Sequence, residues 1–359
     1  MDMKTHVCIM AGGAGTRFWP MSTEEMPKQF IDVLDVGKSL LQLTYDRAIR
    51  LTSPDRIWIM THEKYQSIVV SQLPDIKAEN ILLEPARRNT APAIAYAANK
   101  IIAKDKDGIM VMLSSDHVIL KEDAFVSDTQ SGIQHVHSHN SIFTLGIQPT
   151  KPHTGYGYIQ YEKASDSIKP VLRFVEKPGH DTAKAYLESG DYLWNAGIFI
   201  WKASRVMEDL KAHAPEIYQA FQPLSEAIGK PEEHDAVSKA FAITPSQSID
   251  YAIMEHADDI CTKPSDIGWS DLGTWGALYD MKRQGTKDNI VSPGAMIVME
   301  DCENCLIRIP EGKQAIVKSL NHYVVAWQEG GLLIYPIQDE QKLKSSLSQL
   351  KDKPQQSSS

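Results

Sequence analysis

Between residues 5 and about 145, short apolar runs alternate with stretches of helical periodicity, and this alternation constrains the fold more than any other feature. The runs Val7–Ala11, Ile57–Thr61, Ile81–Leu83, Ile109–Leu113 and Ile142–Leu145 have the length of strands. Between them, Ser39–Leu51, Glu63–Leu73, Ala91–Ala103 and Glu122–His137 carry helical patterns. In the first of these, Leu40, Leu43, Ala48 and Leu51 fall near one face behind Ser39 as a cap. Strand–helix alternation predicts an α/β protein with a mostly parallel, Rossmann-like sheet covered on both faces. Ligands of such sheets bind beyond the carboxyl ends of the strands.

The first of those ends is unusual. Val7–Ala11 runs directly into Gly12, Gly13 and Gly15, and Arg17, Pro27 and Lys28 follow. Glycines let backbone amides come close to a ligand, and a strand followed by such a loop is a common phosphate cradle. Two cations at its mouth suit a triphosphate. The spacing excludes a Walker loop, because no Lys-Ser or Lys-Thr follows at the required distance. It also excludes a dinucleotide fingerprint, whose third glycine would stand at Phe18, while Pro20 and Pro27 interrupt any continuous helix there. By pattern alone, a phosphate loop and a structural turn both remain open.

Composition narrows the class. The 359 residues carry 37 basic and 46 acidic side chains, a net charge of −9, which argues against a general nucleic-acid or anionic-membrane surface. No apolar run is long enough to span a membrane and no signal-peptide core is present, so a soluble cytoplasmic enzyme is expected. Cys8, Cys261, Cys302 and Cys305 give no disulfide framework. The single CxxC at Cys302 and Cys305 lacks a second ligand pair for zinc.

From 150 to 290 the pattern is mixed and reads as a continuation of the sheet. Strands are expected at Tyr156–Tyr161, Val171–Val175 and Gly197–Trp201, and helices at Thr182–Leu187, Ser204–Ile228, Glu232–Phe241 and Ser248–His256. After Asp288, short β-rich pieces follow one another at close intervals between turn residues. The expected organisation is therefore a catalytic domain over 1–288, a small β domain over 289–345 and a flexible tail over 346–359.

Several segments offer chemistry. Ser114 and Asp116 in SSDH lie just past the Ile109–Leu113 strand, where Asp116 could hold a metal or cap a helix. Asp271 sits between two tryptophans in GWSDLGTW, a second carboxylate or a packed corner. FVEKP places Glu176 and Lys177 at a strand end, where a surface ion pair is the plainer reading. Gly155, Tyr156 and Gly157 in TGYGYI could close on a flat ring or mark a bulge, and Asn195 in WNAGIF could bind hydroxyls or hold a turn. Arg88, Asn89 and Thr90 in EPARRNT follow a strand and also make good helix caps. The twelve histidines pair with no Ser or Cys nucleophile.

Taken together, GGAGTRFWPMS…PKQF resembles the signature of sugar-1-phosphate nucleotidyltransferases, and its FWPMS and PKQF forms resemble their mannose-1-phosphate guanylyltransferase branch. At least seven ordered motifs between about residues 5 and 335 carry the resemblance. It implies transfer of GMP from GTP to mannose 1-phosphate, giving GDP-mannose and pyrophosphate with Mg²⁺. It implies Asp116 and Asp271 as metal ligands, and Arg17, Lys28 and Lys177 as catalytic cations on the triphosphate, pyrophosphate and sugar phosphate. Ala11, Gly12, Gly13, Gly15, Thr16, Arg88, Asn89, Thr90 and Ser114 would bind the nucleotide, and Gly155, Tyr156, Gly157, Glu176 and Asn195 the sugar. It favours a short left-handed β-helix as the appendage. Another sugar or base, or a non-catalytic nucleotide-sugar-binding homologue, is the alternative. Bifunctional relatives add an isomerase after residue ~350, and none is expected here. A homodimer is allowed.

Overall fold

The computed structural model describes residues 4–13, 15–163 and 166–351; most of the expected flexible tail lies outside them. By contacts the chain divides into two compact units. One comprises Met1–Gly12, Gln42–Ser115 and Ile119–Trp269, the other Gly13–Leu41, Asp116–Val118 and Ser270–Ser359. This division differs from a boundary at 288. The glycine loop's cations and both candidate metal carboxylates belong to the same unit as the C-terminal residues.

The first unit is built on one nine-stranded sheet. Its strands are β1 (Thr5–Met10), β2 (Ile57–His62), β3 (Ile81–Glu84), β4 (Ile109–Ser114), β5 (Ile142–Ile147), β6 (Tyr158–Tyr161), β7 (Lys169–Val175), β8 (Tyr192–Lys202) and β9 (Ile260–Ser265). Their spatial order is β3-β2-β1-β4-β8-β5-β9-β7-β6. β1 to β4 are parallel, as the alternation requires, and the side chains of β1 and β2 are buried along almost their whole length. Beyond β4 the expectation of a mostly parallel sheet gives way to a mixed one. β8 runs antiparallel to both β4 and β5, and β9 parallel to β5 but antiparallel to β7.

Two features explain why the sequence under-reports this half. β8 is eleven residues long because it continues through a bulge, with Gly197 at φ +67° and the register against β5 shifting between Thr144 and Gly146. The WNAGIF segment therefore looks like a strand start when it is a strand interior. β9 has no counterpart among the expected strands: its sequence, ICTKPS, is polar and contains Pro264. The proline is tolerated because β7 pairs β9 only at Cys261 and Thr262.

On the helical side, Thr90–Lys104 packs on Ala203–His213 and Pro215–Phe221. Five alanines and Ile94 among its buried residues let these axes approach closely. The single helix expected over 204–228 is broken by Pro215, which starts a new helix at its first position. Helix Glu122–Ser138 covers β5, β8 and β9, where Gly132 admits the rings and methyls of Phe143 and Ile200.

In the second unit, β10 (Ile290–Val291), β12 (Leu306–Arg308) and β14 (Tyr323–Gln328) stack in parallel, and β11 (Met296–Glu300) pairs in parallel with β13 (Gln314–Lys318). β15 (Gly331–Pro336) closes the first stack antiparallel to β14. Cys305, Ile307, Ile309, Val317 and Val325 form the core between these strands. The CxxC thiols are free, and each donates to backbone carbonyls: Cys302 to Glu300 and Val317, Cys305 to Glu303 and Leu320. Residues 343–351, placed partly in the expected tail, form a helix.

Candidate active site

The second unit holds a cavity of about 310 Å³ lined by Gly15, Arg17, Phe18, Lys28, Asp116, His117, Asp271, Gly273 and Lys344. Five of the expected residues, Gly15, Arg17, Lys28, Asp116 and Asp271, thus converge from three segments far apart in sequence. Lys28 is the knot. Its side chain is only 5% exposed, and its ammonium reaches Asp116 Oδ2 at 3.0 Å. It also donates to the carbonyl oxygens of Asp271 and Leu272, each at 2.9 Å. An ammonium has three donors, so all three are engaged. Leu272 stands at φ +43°, a conformation that leucine rarely adopts, and its carbonyl is one of these acceptors.

Gly15 makes the knot sterically feasible. It adopts φ +53°, and a Cβ there would lie 2.7 Å from the Lys28 amide nitrogen. Gln29 donates to the Gly13 carbonyl at 2.9 Å, which ties the loop to the same turn. Thr16 opens the short 3₁₀ turn that carries Arg17 and Phe18. Behind them Phe18 packs on Trp275 with ring centroids 4.9 Å apart, and Trp275 Nε1 donates to the Trp19 carbonyl at 3.3 Å.

Burial alone would raise the Asp116 carboxyl, but the Lys28 ammonium, with His117 4.0 Å from the other oxygen, outweighs it and holds the pKa below the usual range. Asp271 Oδ1 accepts from the Gly273 amide at 3.2 Å. Arg17 is exposed and faces the cavity, where its guanidinium suits a phosphate. Four lining residues, Phe18, His117, Gly273 and Lys344, are absent from the expected site, and the first three lie inside motifs already singled out. His117 was visible in SSDH, whereas Lys344 comes from the C-terminal helix and no motif marks it.

The expected sugar residues gather in the first unit. Glu176 is buried and paired with the Lys177 ammonium. Burial would lower the Lys177 pKa, but Glu176, with Asp250 behind it, keeps it above the usual value. Asn195 donates to Asp250 Oδ1 at 3.1 Å and accepts from Gly197 N at 2.9 Å. Gly157 leaves room for its neighbours: a Cβ there would lie 2.6 Å from Glu176 Oε2 and 3.3 Å from Asn195 Cβ. Tyr156 stacks on His153 at 3.8 Å and meets Trp194 and Trp269 edge-on; Gly155 N donates to His153 Nδ1. Asp250, from the SIDYAIME segment, begins a π-helical turn, a distortion frequent at functional sites. Burial and the Glu176 charge push its carboxyl up to about 6.

At the carboxyl end of β1, Ala11 is buried and Thr61 Oγ1 donates to its carbonyl at 3.0 Å; Ser114 ends β4 opposite Met10. The side chains of the Arg88–Thr90 segment make structural bonds. Arg88 donates to the carbonyls of Phe241 and Ala242, Asn89 caps the helix at φ +65°, and Thr90 Oγ1 accepts from Ile249 N at 2.8 Å.

These features meet the known proteins at one point. The nucleotidyl transferase family matches residues 6–288, and the chain belongs to that family, with its mixed α/β nucleotidyltransferase fold. Within the family its relatives include proteins named mannose-1-phosphate guanylyltransferase. The one from Salmonella muenchen is 40% identical over 292 residues, 79% of this chain and 60% of that protein. The one from Escherichia coli K12 is 35% identical over 360 residues, covering 97% and 74%. The chain thus spans 60% and 74% of these two relatives' own lengths. A solved structure from Thermus thermophilus, described as a mannose-1-phosphate geranyltransferase, matches with a TM-score of 0.87 at 27% identity, covering 97% of this chain and 99% of that one.

Proposed function

We propose that this chain transfers GMP from GTP to α-D-mannose 1-phosphate, releasing pyrophosphate and forming GDP-mannose. The observation that carries the proposal is the convergence of Arg17, Lys28, Asp116 and Asp271 on one cavity beside Gly15. That charged lining suits a triphosphate far better than a terpene chain such as geranyl.

In the reaction, an oxygen of the sugar phosphate attacks the α-phosphorus of GTP. The bond from that phosphorus to the bridging oxygen of the β-phosphate breaks, and pyrophosphate leaves with the electron pair. The attacking phosphate is already ionised, so no protein nucleophile or base is needed. Catalysis is positioning and charge stabilisation. Arg17 binds the triphosphate. Lys28 sets Asp116 against the Asp271 turn and faces the leaving pyrophosphate, while Lys177 and Glu176 hold the sugar phosphate and its hydroxyls with Asn195.

The two carboxylates fit a hard divalent cation such as Mg²⁺. Both are oxygen donors on one cavity, Asp116 is kept ionised, and two protein ligands leave positions for phosphate and water. Bound there, the ion would neutralise charge on the phosphate oxygens. The stacked parallel strands after residue 289 support a short left-handed β-helix following the 1–288 catalytic region in the chain. Among the described residues no helix is long and apolar enough to cross a membrane.

Pyrophosphate release measured across all pairs of nucleoside triphosphate and sugar 1-phosphate tests the reading. GTP with mannose 1-phosphate should be the best pair, and a flat matrix or release with no pair would sink it. Lys177→Ala should raise KM for mannose 1-phosphate by about tenfold or more, the worth of a charge-assisted contact, with little change for GTP. A raised GTP KM with an unchanged sugar-phosphate KM would reverse the assignment.

A further inference from the structure

The second unit holds another cavity, of about 340 Å³, and none of its lining residues lines the first one. It lies at the carboxyl end of the stacked strands β10, β12 and β14, where Ser292, Arg308 and Trp327 come from successive rungs. Asp32 and Asp35 enter it from the segment after the glycine loop, and Glu311 from the turn that follows β12. The proposed chemistry uses none of these side chains.

Its charged groups are held in place. Arg308 is only 4% exposed, and its Nη1 pairs with Asp35 Oδ2, which the Lys282 ammonium also reaches at 2.6 Å. Burial would raise the Asp35 carboxyl, but Arg308 and Lys282 outweigh it and hold it ionised, below the usual carboxylate range. Among the described residues no bond is found for the Nε or Nη2 of Arg308. Spare donors on so buried a guanidinium are costly unless something in the cavity accepts from them. Asp32 is fixed by the Val36 and Gly37 amides, which donate to its two oxygens at 3.1 and 2.6 Å. Glu311 lies across Gly294, which adopts φ +70° and where a Cβ would come within 2.7 Å of the Glu311 Cγ.

This lining selects by charge. Three carboxylates against one guanidinium that is already paired repel a phosphate, and the buried Arg308 disfavours a cation. A neutral ligand remains, one that both donates to carboxylates and accepts from a guanidinium. Hydroxyl groups do both. Trp327, 37% exposed, adds an electron-rich ring against which the C–H face of a sugar can pack; Lys313 stands 5.8 Å from its centroid and leaves that surface for a ligand. We propose that the cavity binds an uncharged pyranoside. Its hydroxyls donate to Asp32 and Glu311 and accept from Arg308, and one ring face lies on Trp327. The site is separate from the guanylyl-transfer reading and stands without it.

Isothermal titration with the methyl α-pyranosides of mannose, glucose and galactose tests it, because these probes carry no phosphate for the active-site cations. At least one should bind the wild type saturably. Trp327→Ala and Glu311→Ala should each weaken that binding by about tenfold, the worth of a stacked face or of a hydrogen bond to a charged group. Asn195→Ala, in the first unit, should leave it unchanged. Because Trp327→Ala can loosen the β stack, Glu311→Ala, at an exposed side chain, decides if the melting temperature of the tryptophan variant falls. No saturable binding of any of the three by the wild type, or full affinity in Glu311→Ala, would overturn the proposal. Displacement of the glycoside by inorganic phosphate would make this an anion site, and by guanosine a base site; either result overturns it too.

Discussion

Asp271→Asn is expected to lower turnover by about three orders of magnitude while leaving thermal stability close to wild type. Losing one of two carboxylates that would hold the phosphate-bound cation removes several kcal/mol of transition-state stabilisation. The fold should survive, because the Lys28 grip falls on the Asp271 backbone carbonyl, which the substitution keeps. Asp116→Asn should lose a similar factor and also some stability, since there the carboxylate itself pairs with Lys28. The contribution of that pair has a definite sign with pH. The folded pKa of Asp116 lies below its unfolded value of 3.8, so the stabilisation is fully present above about 3.8 and is lost as pH falls through the depressed folded value. Thermal melts at pH 7 and steady-state rates at saturating Mg²⁺ separate the two effects. Near-normal metal-dependent turnover in either variant would remove that residue from the metal site.

Lys28→Ala should be the most damaging substitution in the cavity, in both activity and stability. Removing the ammonium leaves the carbonyls of Asp271 and Leu272 and the Asp116 carboxylate without their shared donor. Unsatisfied buried acceptors cost about 1–3 kcal/mol each, and the part-exposed Asp116 recovers some of this through water. A net loss of about 2–3 kcal/mol in urea unfolding is expected. Arg17→Lys makes the contrast: the side chain is exposed, so the variant should keep its stability and lose kcat/KM through guanidinium geometry. If Lys28→Ala were as stable as wild type and raised only the KM for GTP, Lys28 would be an ordinary phosphate ligand and the tether would be wrong.

How far the sequence led depends on the kind of signal each element carries. β1 to β4 are continuous apolar runs, so their buried parallel pairing was legible. β9 was not, because its stability comes from neighbours on the sheet and its own residues are polar with a proline. Motif residues told which side chains would meet, and Arg17, Lys28, Asp116 and Asp271 do line one cavity. What motif reading could not give is how donors are spent. Lys28 reads as a free cation and proves to be engaged three times, while Arg88 and Thr90, for which sequence left a ligand contact and a cap both open, make bonds to backbone. Lys344 carried no signal at all, since its place depends on where a polar C-terminal helix packs.

The central claim is guanylyl transfer to a sugar phosphate, and phosphorus NMR of the purified chain with GTP, mannose 1-phosphate and Mg²⁺ tests it most directly. The GTP and sugar-phosphate resonances should decline together and be replaced by the diphosphate pair of GDP-mannose and an equimolar pyrophosphate signal. Persistence of mannose 1-phosphate while GTP decays to GDP and inorganic phosphate, or no change in either substrate, would contradict it.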